Sequence, residues 1–209
     1  MRMPPIETTR LLIRPFTPDD LATIHHILDV ELADAEVGTA GTQSRDARER
    51  WLRWTILGYE QYAALYQPPY GERAIVLKDT GQVIGSCGYV PCLDQFGRLP
   101  SLRATDDGDS AGFSTTEFGL YWAVSPTQQR LGYATEAAKA LINDAFTRLG
   151  LRRIVATTTH DNMASIRVME KVGMRIDTNP SGEPPWLQAV GVVYHPKHEK
   201  VTETKGAGS

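Results

Sequence analysis

The run EFGLYWAV, Glu117 to Val124, has strand character and stops at Ser125-Pro126. An amphipathic helix is predicted soon after, from Leu131 to Leu149, with Ala137, Leu141, Ala145 and Phe146 facing inward and Gly150 as its stop; the β-branched run RIVATTT, Arg153 to Thr159, follows. Strand, small-residue turn, helix and strand in direct succession commit this part of the chain to a sheet with helices packed on it.

The flanking segments extend that pattern. TRLLIRPF, Thr9 to Phe16, puts Leu11 and Ile13 on one strand face and ends at Pro15, Thr17 and Pro18. Thr17 then suits a helix N-cap, with Pro18 at the first helical position, Asp19 and Asp20 where the helix dipole favours negative charge, and Leu21, Ile24 and Leu28 as the buried stripe. Ser44 caps a longer helix in which Trp51, Trp54, Leu57 and Tyr62 recur at helical spacing, a stripe expected to pack in the core, with a substrate wall on the acceptor side as the alternative. RAIVLK and QVIGSCGY flank Asp79-Thr80-Gly81 as an antiparallel hairpin. Asn162 to Val172 suits a short helix ended by Gly173, and Val190 to Tyr194 a last strand. The fold class expected is α/β (α+β), a mixed sheet flanked by helices.

With 209 residues and roughly 100 to 200 per domain, residues 1–197 are expected as one domain and 198–209 as a frayed polar tail. The stretch from Asp94 to Thr115 loses periodicity and reads as a long loop. Lys and Arg number 22 against 25 Asp and Glu, so no cationic field draws in a polyanion, and nucleic acid is not an expected partner. No apolar run approaches the ~18 residues of a membrane span, and MRMPPIETTR lacks the apolar core of a secretory signal; the cytoplasm is the expected location. Cys87 and Cys92 match no zinc or redox spacing and read as packing residues or free thiols, and the five histidines have no ligand spacing, so no metal is expected.

The chemistry concentrates at Gln129, Arg130, Leu131, Gly132, Tyr133, Ala134 and Thr135, between a strand end and a helix start. A helix N-terminus offers unpaired N–H groups and partial positive charge. Gly132 and Ala134 carry almost no side chain, so a diphosphate can approach the backbone, and Thr135 adds a hydroxyl donor. Small residues also let a helix sit close to a sheet, so this turn alone leaves packing open. The stretch is neither a P-loop nor a dinucleotide fingerprint, which removes the main support for ATP and NAD.

Gln129 to Ala134 fits the Gln/Arg-x-x-Gly-x-Gly/Ala signature of the GNAT superfamily of acetyl-CoA-dependent N-acetyltransferases, and ETTRLLIRPFTPDDL, EFGLYWAVSPTQQRLGYATEA and DNMASIRVMEKVGM resemble its Rim-type branch, named for ribosomal-protein N-terminal acetyltransferases. The blocks occur in the family's order and span Thr9 to Met174. The resemblance implies a mostly antiparallel sheet of six to seven strands, about four helices, and two strands splayed at a cleft for coenzyme A. It implies that Gln129 to Thr135 hold the pyrophosphate, that Ala123 and Val124 line the pantetheine arm and polarise the thioester carbonyl, and that Asn162 hydrogen-bonds that arm.

Acetyl transfer from a thioester needs a neutral amine, whereas α-amines titrate near ~8 and Lys near ~10.4. Glu117, at an acidic position common in the family, is the candidate base or substrate-orienting group; pairing with an arginine is its structural alternative. The Tyr that many relatives use toward the leaving thiolate is replaced here by Met169, and Ser165 becomes the candidate sulfur contact, against a simple first-turn role in its helix. The expected activity is direct acetyl transfer from acetyl-CoA to a primary amine, either a protein N-terminal α-amine or a small molecule, by a monomer or homodimer. The alternative is a silent acyl-CoA-binding or regulatory module. Asp106, Asp107 and Asp109 point to a cationic acceptor.

Overall fold

The computed structural model describes residues 3–33, 41–68, 70–102 and 113–197, which include eight strands and four α-helices. Contacts divide the chain into two compact units, Met1–Pro91 with Gly119–Leu141, and Cys92–Phe118 with Ile142–Ser209. Strand β5 (Thr115–Val124) passes from the second unit to the first.

In the first unit the strands run β1 (Ile6–Glu7), β2 (Leu11–Arg14), β3 (Gly71–Leu77), β4 (Val83–Asp94) and then β5. The antiparallel pairs place Ile6 opposite Ile13, Leu11 opposite Leu77 and Ala74 opposite Ser86. Thr17 and Asp20 close a capping box in which the Thr17 N–H donates to the Asp20 carboxylate at 2.8 Å. Helix α1 (Leu21–His25) follows and widens into a π-helical turn over His26–Glu31. Helix α2 (Arg45–Ala64) starts at Ser44, whose hydroxyl accepts from the Ala47 N–H, as expected of that cap. Phe16, Ile24, Ile27, Leu28, Leu52, Ala74, Val76, Val83 and Ala123 form the core beneath them.

The α2 stripe differs from the expected one. Trp54 is 69% and Leu57 56% exposed, whereas Arg48, Leu52 and Thr55 are the buried positions. Arg48 can turn inward because Asp29 meets it there, with Nε and Nη2 each 2.8 Å from a carboxylate oxygen. Hydrophobicity alone ranks Trp above Arg and misses a face set by an ion pair.

In the second unit β8 (Ala189–Tyr194) lies between β6 (Arg153–Thr158) and β7 (Arg175–Thr178), antiparallel to both. Phe96, Leu99, Leu102, Val155, Leu187, Val190 and Val192 make its core. Helix α4 (Met163–Lys171) buries Met169, and a Cβ at Gly191 would lie 2.8 Å from the Met174 sulfur and 3.0 Å from that of Met169, so a side chain there would require these methionines to shift.

Six strands are legible from local pattern; β1 and β7 complete the eight. Strand β1 has two residues, too few for periodicity, and β7 reads RIDT, whose buried Asp177 accepts from the Ser101 N–H and hydroxyl at 2.6 and 2.9 Å and lies 3.8 Å from Arg175 Nε, partners that offset the cost of its burial. The acids Asp106, Asp107 and Asp109 and the tail 198–209 lie outside the described residues.

Candidate active site

After Val124 the chain makes a short 3-10 turn, Pro126–Gln128, and then bends sharply, with Arg130 at φ 63° and Gly132 at φ 85°, before helix α3 (Tyr133–Thr147). Positive φ suits Gly132, and Arg130 is an uncommon non-glycine case. The bend is held from both sides. The Gln129 side-chain amide donates to the Val124 carbonyl at 3.0 Å, and Arg10 Nη1 donates to the Leu131 carbonyl at 3.0 Å.

The first helical bond is from Glu136 N to the Gly132 carbonyl, 3.0 Å. Among the described residues, the N–H groups of Gly132, Tyr133, Ala134 and Thr135 meet no acceptor. An acid in the first turn would ordinarily supply one. Here the Glu136 carboxylate is drawn aside, accepting from Thr8 Oγ1 at 2.6 Å and from the Arg10 N–H and Nε at 2.9 and 2.7 Å. The Arg10 guanidinium also lies over the Tyr133 ring, 4.5 Å from its centroid. The outcome is a row of free amides at a helix start, beside the Arg10–Glu136 ion pair, and such amides are a receptor for an anion such as a diphosphate.

Arg10 and Thr8 are site residues that local pattern misses, because their partner is more than 120 positions away. Burial works to raise the Glu136 carboxyl, but hydrogen bonds from Thr8 and Arg10 and the charge of Arg10 outweigh it and hold the group below the usual carboxylate range. A depressed folded value adds stability above the unfolded value, ~4.3, and the addition disappears as pH falls through the folded one. Glu136→Gln should therefore lower the melting temperature at pH 7, with the gap to wild type closing in acid. Parallel melting curves across pH 3 to 7 check this, in the region set by carboxylate titration.

Ala123 and Val124 are buried, and the Val124 carbonyl already accepts from Gln129. In the second unit, Asn162 caps α4, its Oδ1 accepting from the Ser165 N–H at 3.1 Å. The half-buried Ser165 hydroxyl makes no hydrogen bond among the described residues. Met169 is a core residue, 1% exposed. Glu117, 7% exposed, has both carboxylate oxygens in the guanidinium fork of Arg153, with Nε 2.8 Å from Oε2 and Nη2 against Oε1. Burial pushes the Cys87 thiol up to about 12 and that of Cys92 up to about 11, so neither offers a thiolate nucleophile near neutral pH. No cluster of three or more His, Cys, Asp or Glu suited to a metal occurs among the described residues, and no helix there is long and apolar enough to cross a membrane.

Residues 10–175 match the acetyltransferase (GNAT) domain. The uncharacterized N-acetyltransferase YoaA of Bacillus subtilis (strain 168) is 27% identical over 173 residues, 82% of this chain and 83% of that protein. YnaD of the same strain is 45% identical over 64 residues, 31% of this chain and only 36% of YnaD. An acetyltransferase (GNAT family) structure from Bacillus anthracis has TM-score 0.66 at 20% identity, covering 92% of this chain and 99% of that one. A RimL ribosomal L7/L12 α-N-protein acetyltransferase, solved with coenzyme A, has TM-score 0.62 at 13% identity, covering 90% and 96%. The free amides before α3 thus occur in a chain whose fold and domain signature agree, and the chain belongs to the GNAT family of acetyltransferases.

Proposed function

We propose that this protein transfers an acetyl group from acetyl-CoA directly to a primary amine within a ternary complex. The observation that carries this reading is the row of acceptor-free amides from Gly132 to Thr135, left open by the turning of Glu136 toward Arg10. In this reading Gln129, Arg130, Leu131, Gly132, Tyr133, Ala134 and Thr135 receive the pyrophosphate, each charge-assisted bond contributing about 1.5–3 kcal/mol. Ala123 and Val124 line the pantetheine arm with backbone groups. Asn162, whose Oδ1 caps its helix, offers its side-chain amide N–H groups to the same arm. The Ser165 hydroxyl donates to the departing sulfur.

Glu117 would have to break two charge-assisted bonds to Arg153 before taking a proton, so its role here is to orient the acceptor side rather than to act as a free base. The acceptor proposed is a protein N-terminal α-amine, as in the Rim-type branch, or a small-molecule amine, and the setting proposed is the cytoplasm, without metal or nucleic acid. Mixing the protein with acetyl-CoA and a panel of amines and recording free thiol tests the reading. Amine-dependent thiol release supports it; tight coenzyme A binding with no release under any amine points to a silent acyl-CoA module instead. Ser165→Ala should lower kcat by roughly tenfold while the coenzyme A Kd changes less than about twofold, the signature of a contact made in the transition state.

A further inference from the structure

One ionisable group on the core-facing side of the first unit's sheet takes no part in the functions assigned above. Glu72, Ala74 and Val76 alternate along β3 and share a face. Ala74 and Val76 lie in the core cluster with Ala123, and Trp51 and Tyr121 pack against it. Glu72 therefore sets a carboxylate among aromatic and aliphatic groups under α2. Ser86 Oγ donates to its Oε2 at 3.2 Å. The Trp51 side chain also hydrogen-bonds the carboxylate, and the residue is only partly exposed.

The nearby cation does not neutralise it. Arg48 is engaged by Asp29 in a two-bond fork and stacks on Trp51, 4.8 Å from the ring centroid. No ion pair forms at Glu72 among the described residues, although a carboxylate in such surroundings is costly without a counter-charge. The Tyr121 hydroxyl, on a partly buried side chain, makes no hydrogen bond among the described residues. Tyr121 precedes Ala123 by two residues, on the same face of β5 that leads to the proposed thioester position. A partly buried carboxylate held by two neutral donors, Ser86 and Trp51, with Tyr121 beside it and no cation of its own is complementary to an alkylammonium group.

We propose that Glu72 is the receptor for the acceptor amine and takes its proton, with Trp51 and Tyr121 as walls. This inference rests on the N-acetyltransferase reading and deepens it: the acceptor class is a primary ammonium on an uncharged, partly apolar body with no carboxylate beside the amine. The ammonium gives one proton to Glu72, and the neutral nitrogen attacks the thioester carbonyl. The C–N bond forms, the C–S bond breaks, and the second nitrogen proton ends on the departing thiolate; Glu72 then returns its proton to water.

Burial pushes the Glu72 carboxyl above the usual carboxylate range, against the Ser86 hydrogen bond, the charge of Arg48 and the Trp51 side chain, which suits a group that must accept a proton. The other charged or titratable groups around it are Asp29, Tyr59 and Tyr121, while Arg73 and its cross-strand partner Cys87 lie on the opposite face of the sheet. Because its folded value is raised, the ionised group weakens the fold once pH exceeds the unfolded value, so removing the charge should raise the melting temperature at neutral pH.

Calorimetric titration of the coenzyme A-saturated protein, which cannot turn over, tests the site with n-butylamine, benzylamine and alanine amide, against n-butanol, benzyl alcohol and alanine. At least one of the amines should bind wild type, the alcohols and alanine should not, and Glu72→Gln should weaken amine binding about tenfold or more while coenzyme A affinity stays within about twofold. Glu72→Gln should also melt higher than wild type at pH 7 and equally in acid. Tyr121→Phe, which keeps the ring, gives a second variant, expected to weaken amine binding as well. Equal amine affinity in wild type and both variants overturns the inference, as does coenzyme A binding with no amine binding. Failure of coenzyme A itself to bind overturns the acetyltransferase reading on which the inference depends.

Discussion

Gly132→Glu should abolish useful coenzyme A binding, lowering affinity at least ~100-fold, a loss of about 3 kcal/mol. The new carboxylate would arrive where the backbone turns its free amides outward, repelling the diphosphate and competing for its donors. It would also pull on Arg10, since a Cβ at Gly132 lies 3.4 Å from Arg10 Nη2. The φ of 85° adds backbone strain of roughly 1–2 kcal/mol for any L side chain. Gly132→Ala carries that strain without the charge and serves as the control, with a loss of about tenfold or less. Calorimetry on both, with melting curves to verify folding, separates charge from strain. Unchanged affinity in a folded Gly132→Glu protein would remove the phosphate cradle from this site.

Gly85→Ala should produce the largest loss of stability, about 3 kcal/mol or more. A Cβ at Gly85 would sit 2.1 Å from the Ala123 carbonyl oxygen and 3.0 Å from the Val124 Cα, both backbone atoms that no rotamer change can move. Relief requires β4 and β5 to separate where the Ser125 N–H donates to the Ile84 carbonyl at 2.9 Å. The expected fall in melting temperature is at least about 6–12 °C for a chain of this size, measurable by calorimetry. Because Ala123 and Val124 are the proposed thioester-lining residues, the KM for acetyl-CoA should rise in whatever fraction remains folded. A melting temperature within a degree of wild type would mean that the strands can spread at little cost.

Most of the scaffold was readable because its signals are local. Ser44 caps α2, Gly150 and Gly173 follow α3 and α4 in positive φ, and the β-branched run from Arg153 becomes β6. The turn at Gly132 was legible as a bend into a helix, while its small residues alone left packing open beside the phosphate reading. What escaped depends on distant partners. The inward side of α2 follows from Asp29, which lies in a different helical segment, and Arg10 acquires its role only when folding brings Glu136 to it. Glu117 illustrates the same limit: its position suggests a proton acceptor, while Arg153, on another strand, determines what its oxygens are free to do. Glu72 gave no signal at all, because an isolated acid at the start of a strand looks like a surface residue until the helix above it is in place.

The contacts of Thr8 and Arg10 with Glu136 bear on how such a chain can drift. A lone exchange at position 10 would release the Glu136 carboxylate toward the very amides it now leaves vacant, turning the protein into its own competitor for the nucleotide, whereas a lone exchange at position 136 would strand the Arg10 guanidinium without its counter-charge. The two positions are consequently expected to vary together across descendants, and a reciprocal exchange of their charges should recover more binding than either half-step alone.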